Sequence, residues 1–336
     1  MSKISKKKIQ YPVSPGLNRY LKKYGREVQL HVTYDHLLRY TDSIPFGDTL
    51  WVSVIFSQED LRELNKSLCY IYALLKTHGN TSVIEHLYVD RIDYCLFGNS
   101  NPFRIRIVNH YNDNYDYFYI KKADASRIYG LELEDILSPN RVTYFVDKET
   151  LIEEHITGIP GDDFIKKELN QKTHNKIRLA KEFVKFNERC FIRLLGDMRS
   201  YNFVVEVTHD FDDVQYRVRA IDFDQQCYEG RKSLYLPQYF KENIAYVEMA
   251  KQVMAEQTVK QYQHEERSRM ARRIKYSRYL VKDLFDVMQK EKLSTDAKID
   301  QLKHELAIHH KDRAFFKCNT MGEILKENIK TVRNHF

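Results

Sequence analysis

The change of residue pattern near Asp162 limits the fold more than any other feature of the chain. Between Arg91 and Ile156, short β-prone runs crowd together. "RIDYCLF" and "FRIRIVNH" flank "GNSNP", "NDN" turns into "YDYFYIKK", and "VTYFV" and "TLIEEHI" flank "DKE". The spacing predicts about five antiparallel strands with one short helix inserted after the third. From Asp162 onward helical patterning dominates, no proline follows Pro237, and Met270, Ile274, Ser277, Val281, Leu284 and Met288 recur at helical spacing. One hairpin, "YNFVVEV" against "QYRVRAIDF", interrupts this region. The expectation is an α+β protein with a small antiparallel β lobe followed by a larger helical lobe.

Ahead of the strands, residues 1–90 read as an accessory α/β extension. They contain "LWVSVIF" and a helix that opens on Ser57 as N-cap, carries Glu59 and Asp60 in its first turn, and repeats Leu61, Leu64, Leu68, Ile71 and Leu75. The expected domains are thus 1–90, 91–156 and 157–336. At 336 residues and 43% hydrophobic, the chain can bury a sizeable core. No apolar run approaches the length of a membrane span, and the N-terminus has basic residues without an apolar stretch behind them, so a cytoplasmic location is expected. The five cysteines are scattered without ligand spacing and read as reduced, mostly buried thiols. A formal charge of +7 favours anionic partners, and much of the excess lies in "KISKKK" and in Arg267 to Arg278. That second segment, with Tyr276 and Tyr279 interleaved, reads as a basic helix able to follow a phosphate backbone or an acidic membrane surface, or else as a solvated helix face.

Chemistry concentrates in "FIRLLGDMRSYNFVV" (Phe191 to Val205), where Gly196 is expected to let the chain turn sharply. Asp197 and Asn202 stand five positions apart, and a strand ends later in "AIDFDQ" with Asp222. Phosphoryl transfer needs a carboxylate to orient the attacking hydroxyl, and an amide plus a second carboxylate to hold magnesium on the phosphates. These three residues supply those groups, although a helix-to-strand turn with Asp197 and Asn202 bonding their own backbone would use the same types. Upstream, "YFYIKK" ends a strand in Lys121 and Lys122, either able to reach phosphate oxygens, and Glu132 and Glu134 follow on a short helix. "TLIEEHITGIPGDDF" runs a strand into a Gly/Pro linker where backbone groups could meet an adenine edge.

In this order the residues resemble the protein kinase-like superfamily, closest to its aminoglycoside phosphotransferase and choline kinase branch, over about Asp93 to Gln225. "LGDMRSYNFVV" is similar to the branch's HGDxxxxN loop, "AIDFDQ" to its metal-binding strand end, "FYIKKAD" to its lysine strand, "TLIEEHITG" to its hinge and "FGNSNPFRIRI" to its nucleotide loop. The resemblance implies an ATP- and Mg2+-dependent phosphotransferase acting on a hydroxyl, with a small molecule or sugar favoured as acceptor. It implies that Asp197 is the catalytic carboxylate, that Asn202 and Asp222 bind magnesium, and that Lys121 contacts the nucleotide phosphates and pairs with Glu132. The backbone at Glu154 and Ile156 would hold adenine, and Gly98 and Asn101 would belong to the nucleotide loop. Lys122 for Lys121, Glu134 for Glu132, and Asp224 as a second acidic ligand are the alternatives in register. Three departures stand out: Leu195 where the branch has histidine, a phosphate loop with only Gly98, and a Glu132 helix close to "SPN". A protein kinase, a catalytically weak nucleotide-binding scaffold and nucleotidyl transfer are the competing functional readings.

Overall fold

The computed structural model describes residues 8–333 apart from Asp48, His78, Gly98, Asn170, Lys172, Thr173, Phe211 and Asp212. The chain forms two compact units, interleaved in sequence: residues 1–125 with 142–155, and residues 126–141 with 156–336. This division differs from one at residues 90 and 156. The reason is long-range strand pairing, which joins part of the first 90 residues to the later strands.

The first unit contains helices α1 (Pro15–Lys23), α2 (Tyr34–Leu37) and α3 (Gln58–Thr77). Its strands are β1 (Asp42–Pro45), β2 (Trp51–Ile55), β3 (Leu87–Cys95), β4 (Phe103–Asn109), β5 (Tyr115–Lys122), β6 (Tyr144–Asp147) and β7 (Thr150–Glu154). All seven share one antiparallel sheet in the order β1-β2-β3-β4-β5-β7-β6. Trp51 of β2 lies opposite Cys95 of β3, so β1 and β2 extend the sheet beyond β3. Alternation turns Ile92, Ile105, Phe118, Ile120 and Ile152 inward, where Leu64, Leu68, Ile71 and Leu75 of α3 join the same core. Ser57 caps α3 by accepting from Asp60 N at 3.2 Å.

The second unit holds α4 (Ala125–Leu137, of which Ala125 belongs to the first unit), β8 (Ile159–Pro160), α5 (Gly161–Lys167), α6 (Lys176–Arg193), β9 (Phe203–Asp210) and β10 (Asp213–Ala220). It ends in α7 (Ile244–Val253), α8 (Glu256–Tyr276), α9 (Arg278–Met288), α10 (Asp296–His310) and α11 (Met321–Arg333). As the pattern predicts, β9 and β10 form one antiparallel hairpin among helices, with β8 added on its edge. Phe183 and Phe186 of α6 stack with Phe203 and Tyr246 at centroid distances of 5.1–6.4 Å, and this aromatic cluster fixes the hairpin on the helices. The helical repeat through Met270 and Leu284 is interrupted at Ser277, which separates α8 from α9. All five cysteines are buried and free. Among the described residues no helix is long and apolar enough to cross a membrane.

Candidate active site

The loop after α6 begins with a left-handed residue. Leu194 caps the helix at φ 55°, and Leu195 N–H closes back on the Cys190 carbonyl at 2.9 Å. Leu195 is fully buried and bridges to Gln226, so an apolar residue packed in the core stands where the resembling branch has histidine. Gly196 does not make the sharp turn expected of it. Asp197 itself takes the left-handed conformation, at φ 57°. What Gly196 provides is close approach: its N–H reaches the Gln225 carbonyl at 3.2 Å, and a β carbon there would sit 3.3 Å from that same oxygen.

The second unit brings Asp197, Asn202 and Asp222 into one small region. The Asn202 side-chain amide donates to the Asp197 carbonyl at 2.7 Å, tying the two ends of the loop. Across the hairpin mouth, Ile221 N–H donates to the Asn202 carbonyl at 3.0 Å, one register step beyond the Phe203–Ala220 pair. Asp222 is therefore delivered beside Asn202. The Asp197 carboxylate accepts from Arg199 Nε at 2.7 Å, and Arg199 also reaches Glu242 at 2.7 Å. Burial raises the Asp197 carboxyl above the usual carboxylate range, while Arg199 pulls it back.

Sequence reasoning missed the partner of Asp222. Arg127 of α4, almost fully buried, donates to Asp222 Oδ1 at 2.9 Å and to Asp224 Oδ1 at 2.8 Å. Asp224 N–H also donates to Asp222 Oδ1, at 3.0 Å. Nothing near "SRIYG" in sequence announces a carboxylate 95 residues away. Arg199, between Asp197 and Asn202 in the loop, is a second residue that the motif does not single out. Asn202 and Asp222 are oxygen donors suited to a hard cation such as Mg2+. Among the described residues no cluster of three or more His, Cys, Asp or Glu could hold a metal.

The other predicted residues fall in both units. In the first, Lys121 is buried and pairs with Glu153 at 2.9 Å, an acid that strand register rather than local sequence brings to it. Tyr119 lies opposite Glu153 in the β5–β7 register, so Lys121 is its diagonal neighbour. Lys122 points the other way, half-exposed, with Glu149 at 3.7 Å. Asn101 adopts φ 38° and donates to the Cys95 carbonyl at 3.0 Å, closing the β3–β4 turn. Gly98 lies outside the described residues. Glu154 commits its N–H to the Thr143 carbonyl at 3.0 Å. In the second unit, Glu132 and Glu134 are both buried on α4, and Ile156 is buried as well. Glu134 forms an ion pair with buried Arg193 and accepts from Asn140, which leaves it a structural role.

No family model matches the chain, and no curated protein matches it. Among solved structures it is similar to the autoinhibited serine kinase domain of the giant muscle protein titin, at 14% identity and a TM-score of 0.31, over 73% of this chain and 92% of that one.

Proposed function

We propose that the protein is an ATP- and Mg2+-dependent phosphotransferase of the protein kinase-like kind, transferring a phosphoryl group to a hydroxyl. The reading rests on one observation: the hairpin places Asp222 beside Asn202, and the Asn202 amide is bonded to the Asp197 backbone. Asp197 orients the acceptor hydroxyl and takes its proton, for which a carboxyl raised by burial is the better base. Asn202 and Asp222 would hold Mg2+, which when bound neutralises charge on the phosphate oxygens. In this reading Lys121, held by Glu153, would contact those phosphates, and Asn101 would shape the nucleotide loop.

A small molecule or sugar is the favoured acceptor. The segment after Asp222 folds as short turns on the loop, with Asp197 N–H donating to the Leu234 carbonyl at 3.1 Å, and it contains Arg231 and Lys232 for an anionic acceptor. One observation favours a second reading, nucleotide binding with little turnover. Arg127 holds Asp222 and Asp224 with a positive charge of its own.

Intact-mass analysis after incubation with ATP, Mg2+ and a panel of hydroxyl acceptors tests the first reading. A product heavier by one phosphoryl group supports it, and a product carrying AMP redirects it to nucleotidyl transfer. Asp222→Ala is expected to abolish metal-dependent turnover, and Asp197→Asn to remove turnover while nucleotide binding persists. Absence of any Mg2+-dependent thermal shift with ATP in the wild type would sink the reading.

A further inference from the structure

A cavity of about 740 Å3 opens on the second unit where α6, β10 and α8 meet. Its lining is strongly cationic: Lys185, Arg189, Arg217, Arg269, Arg272 and Arg273, against Glu182 and Glu266. The two carboxylates offset only part of this charge. Glu266 is engaged by Arg189 at 3.1 Å. Lys185, buried at the base, lies 3.5 Å from Glu265 and 5.7 Å from the Tyr262 ring centroid. Arg217, Arg269, Arg272 and Arg273 make no ion pair among the described residues. Burial pushes the Lys185 ammonium below its ordinary range, and Arg269 and Lys181 push it further, while Glu182 and Glu266 oppose them only in part.

The arrangement follows from the local sequence. Arg269, Arg272, Arg273 and Tyr276 stand at i, i+3, i+4 and i+7, one stripe of α8, while Met270 and Ile274 are buried. Arg267, nearby in sequence, is instead drawn to Glu188 at 2.6 Å and takes no part. Across the cavity, strand alternation turns Arg217 outward between buried Tyr216 and Val218. Tyr276 lies at the rim, 87% exposed.

We propose that this cavity is a binding site for single-stranded nucleic acid, with phosphates seated among Arg217, Arg269, Arg272 and Arg273 and a base stacked on Tyr276. Guanidinium groups match phosphate oxygens bidentately, which suits four uncommitted arginines better than a point-charge role. A concave site with a buried ammonium at its base does not fit a planar bilayer. An exposed aromatic ring beside the cations needs an unstacked base, which a duplex does not offer. The site is independent of the phosphotransferase reading, and so is its test.

Fluorescence anisotropy of labelled single-stranded RNA, the same sequence as DNA, and its duplex reads the site directly. Phosphatidylserine vesicles serve as the alternative anionic surface. The wild type is expected to bind single strands more tightly than duplex, with RNA and DNA arms showing whether the sugar matters. The triple variant Arg269→Gln/Arg272→Gln/Arg273→Gln should weaken binding at least ~10-fold and lower the salt slope by about 2, at about 0.7 per phosphate contact. Tyr276→Ala should weaken single-strand binding about 5- to 100-fold and leave duplex binding unchanged. An unchanged melting temperature in each variant assigns the loss to the site rather than to folding. No single-strand binding at low salt, wild-type affinity in either variant, or vesicle binding that the triple variant abolishes while RNA binding stays weak would each overturn the proposal.

Discussion

Lys121 and Lys122 are neighbours in sequence, yet strand alternation gives them opposite surroundings: Lys121 is buried against Glu153, and Lys122 is half in solvent. Removing one member of a buried ion pair leaves the other charge uncompensated, at a cost of about 3–5 kcal/mol. Lys121→Met is therefore expected to lower unfolding free energy by about that amount, and Lys122→Met by less than about 0.5 kcal/mol, as exposed pairs contribute little. Urea denaturation of the two variants checks this, and equal losses would contradict the assigned register. Arg127 makes a second case at the same scale. Its guanidinium bridges Asp222 and Asp224, so Arg127→Met leaves two adjacent carboxylates to repel each other. The variant should melt below the wild type and should gain more stability from millimolar Mg2+ than the wild type does, because the cation takes over the neutralising role. If Mg2+ raises both melting temperatures equally, the guanidinium is not standing in for a metal.

Among the elements, α4 is constrained by a close contact that its sequence does not advertise. A β carbon on Gly130 would lie 2.8 Å from Phe223 Cβ, so the helix approaches the segment carrying Asp222 and Asp224 more closely than a side chain allows. Gly130→Ala removes a helix penalty of about 1 kcal/mol, but overpacking against Phe223 is expected to cost about 1–3 kcal/mol. A net loss in chemical denaturation, with weaker Mg2+-dependent nucleotide binding, is the expected outcome. A stabilised variant would show that the contact relaxes freely. The same contrast explains what was legible. The β9–β10 hairpin, α3 with its Ser57 cap, and the five strands around an inserted helix could be read because their patterns are local: alternation, helical spacing and turn residues. Asp197, Asn202 and Asp222 were legible for the same reason, since a single loop and hairpin carry all three. Arg127, Glu153 and the pairing of Trp51 with Cys95 were not, because each depends on a register or an ion pair between distant segments. The glycine in "LLGD" misled for a related reason: its type suggested a sharp turn, whereas the left-handed residues are Leu194 and Asp197.

At the scale of the whole chain, the loop that carries Asp197 depends on helices far along the sequence. Asn328 of α11 donates to the Phe191 and Ile192 carbonyls at 3.0 Å each, satisfying the end of α6 just before the loop. His310 stacks between Phe191 and Phe315 and meets Asn328 Oδ1 at 2.9 Å, with His309 edge-on to Phe191 at 5.2 Å. Partial desolvation of an otherwise exposed side chain pushes the His309 imidazole down to about 4, helped by the Lys232 ammonium 3.2 Å from its Nδ1 and by His310, and burial lowers His310 too. An unfolded histidine takes up its proton near pH 6.5, whereas folded His309 resists until about 4. Between those values the unfolded chain binds more protons, so this contribution to stability is complete above about pH 6.5 and is lost as the pH falls toward 4. Glu188 and Asp197, both raised mainly by burial, act in the opposite sense, so the wild-type pH profile alone would mix the two effects. A difference measurement isolates the histidine. His309→Gln should melt at or below the wild type near neutral pH, and its melting temperature relative to the wild type should rise by about 1–2 °C on acidification to about pH 4.5, a small change because solvent screens the partly exposed ring. Parallel melting curves for the two proteins across that range would mean that His309 titrates normally in the folded chain and that the junction of α6, α10 and α11 is open to water.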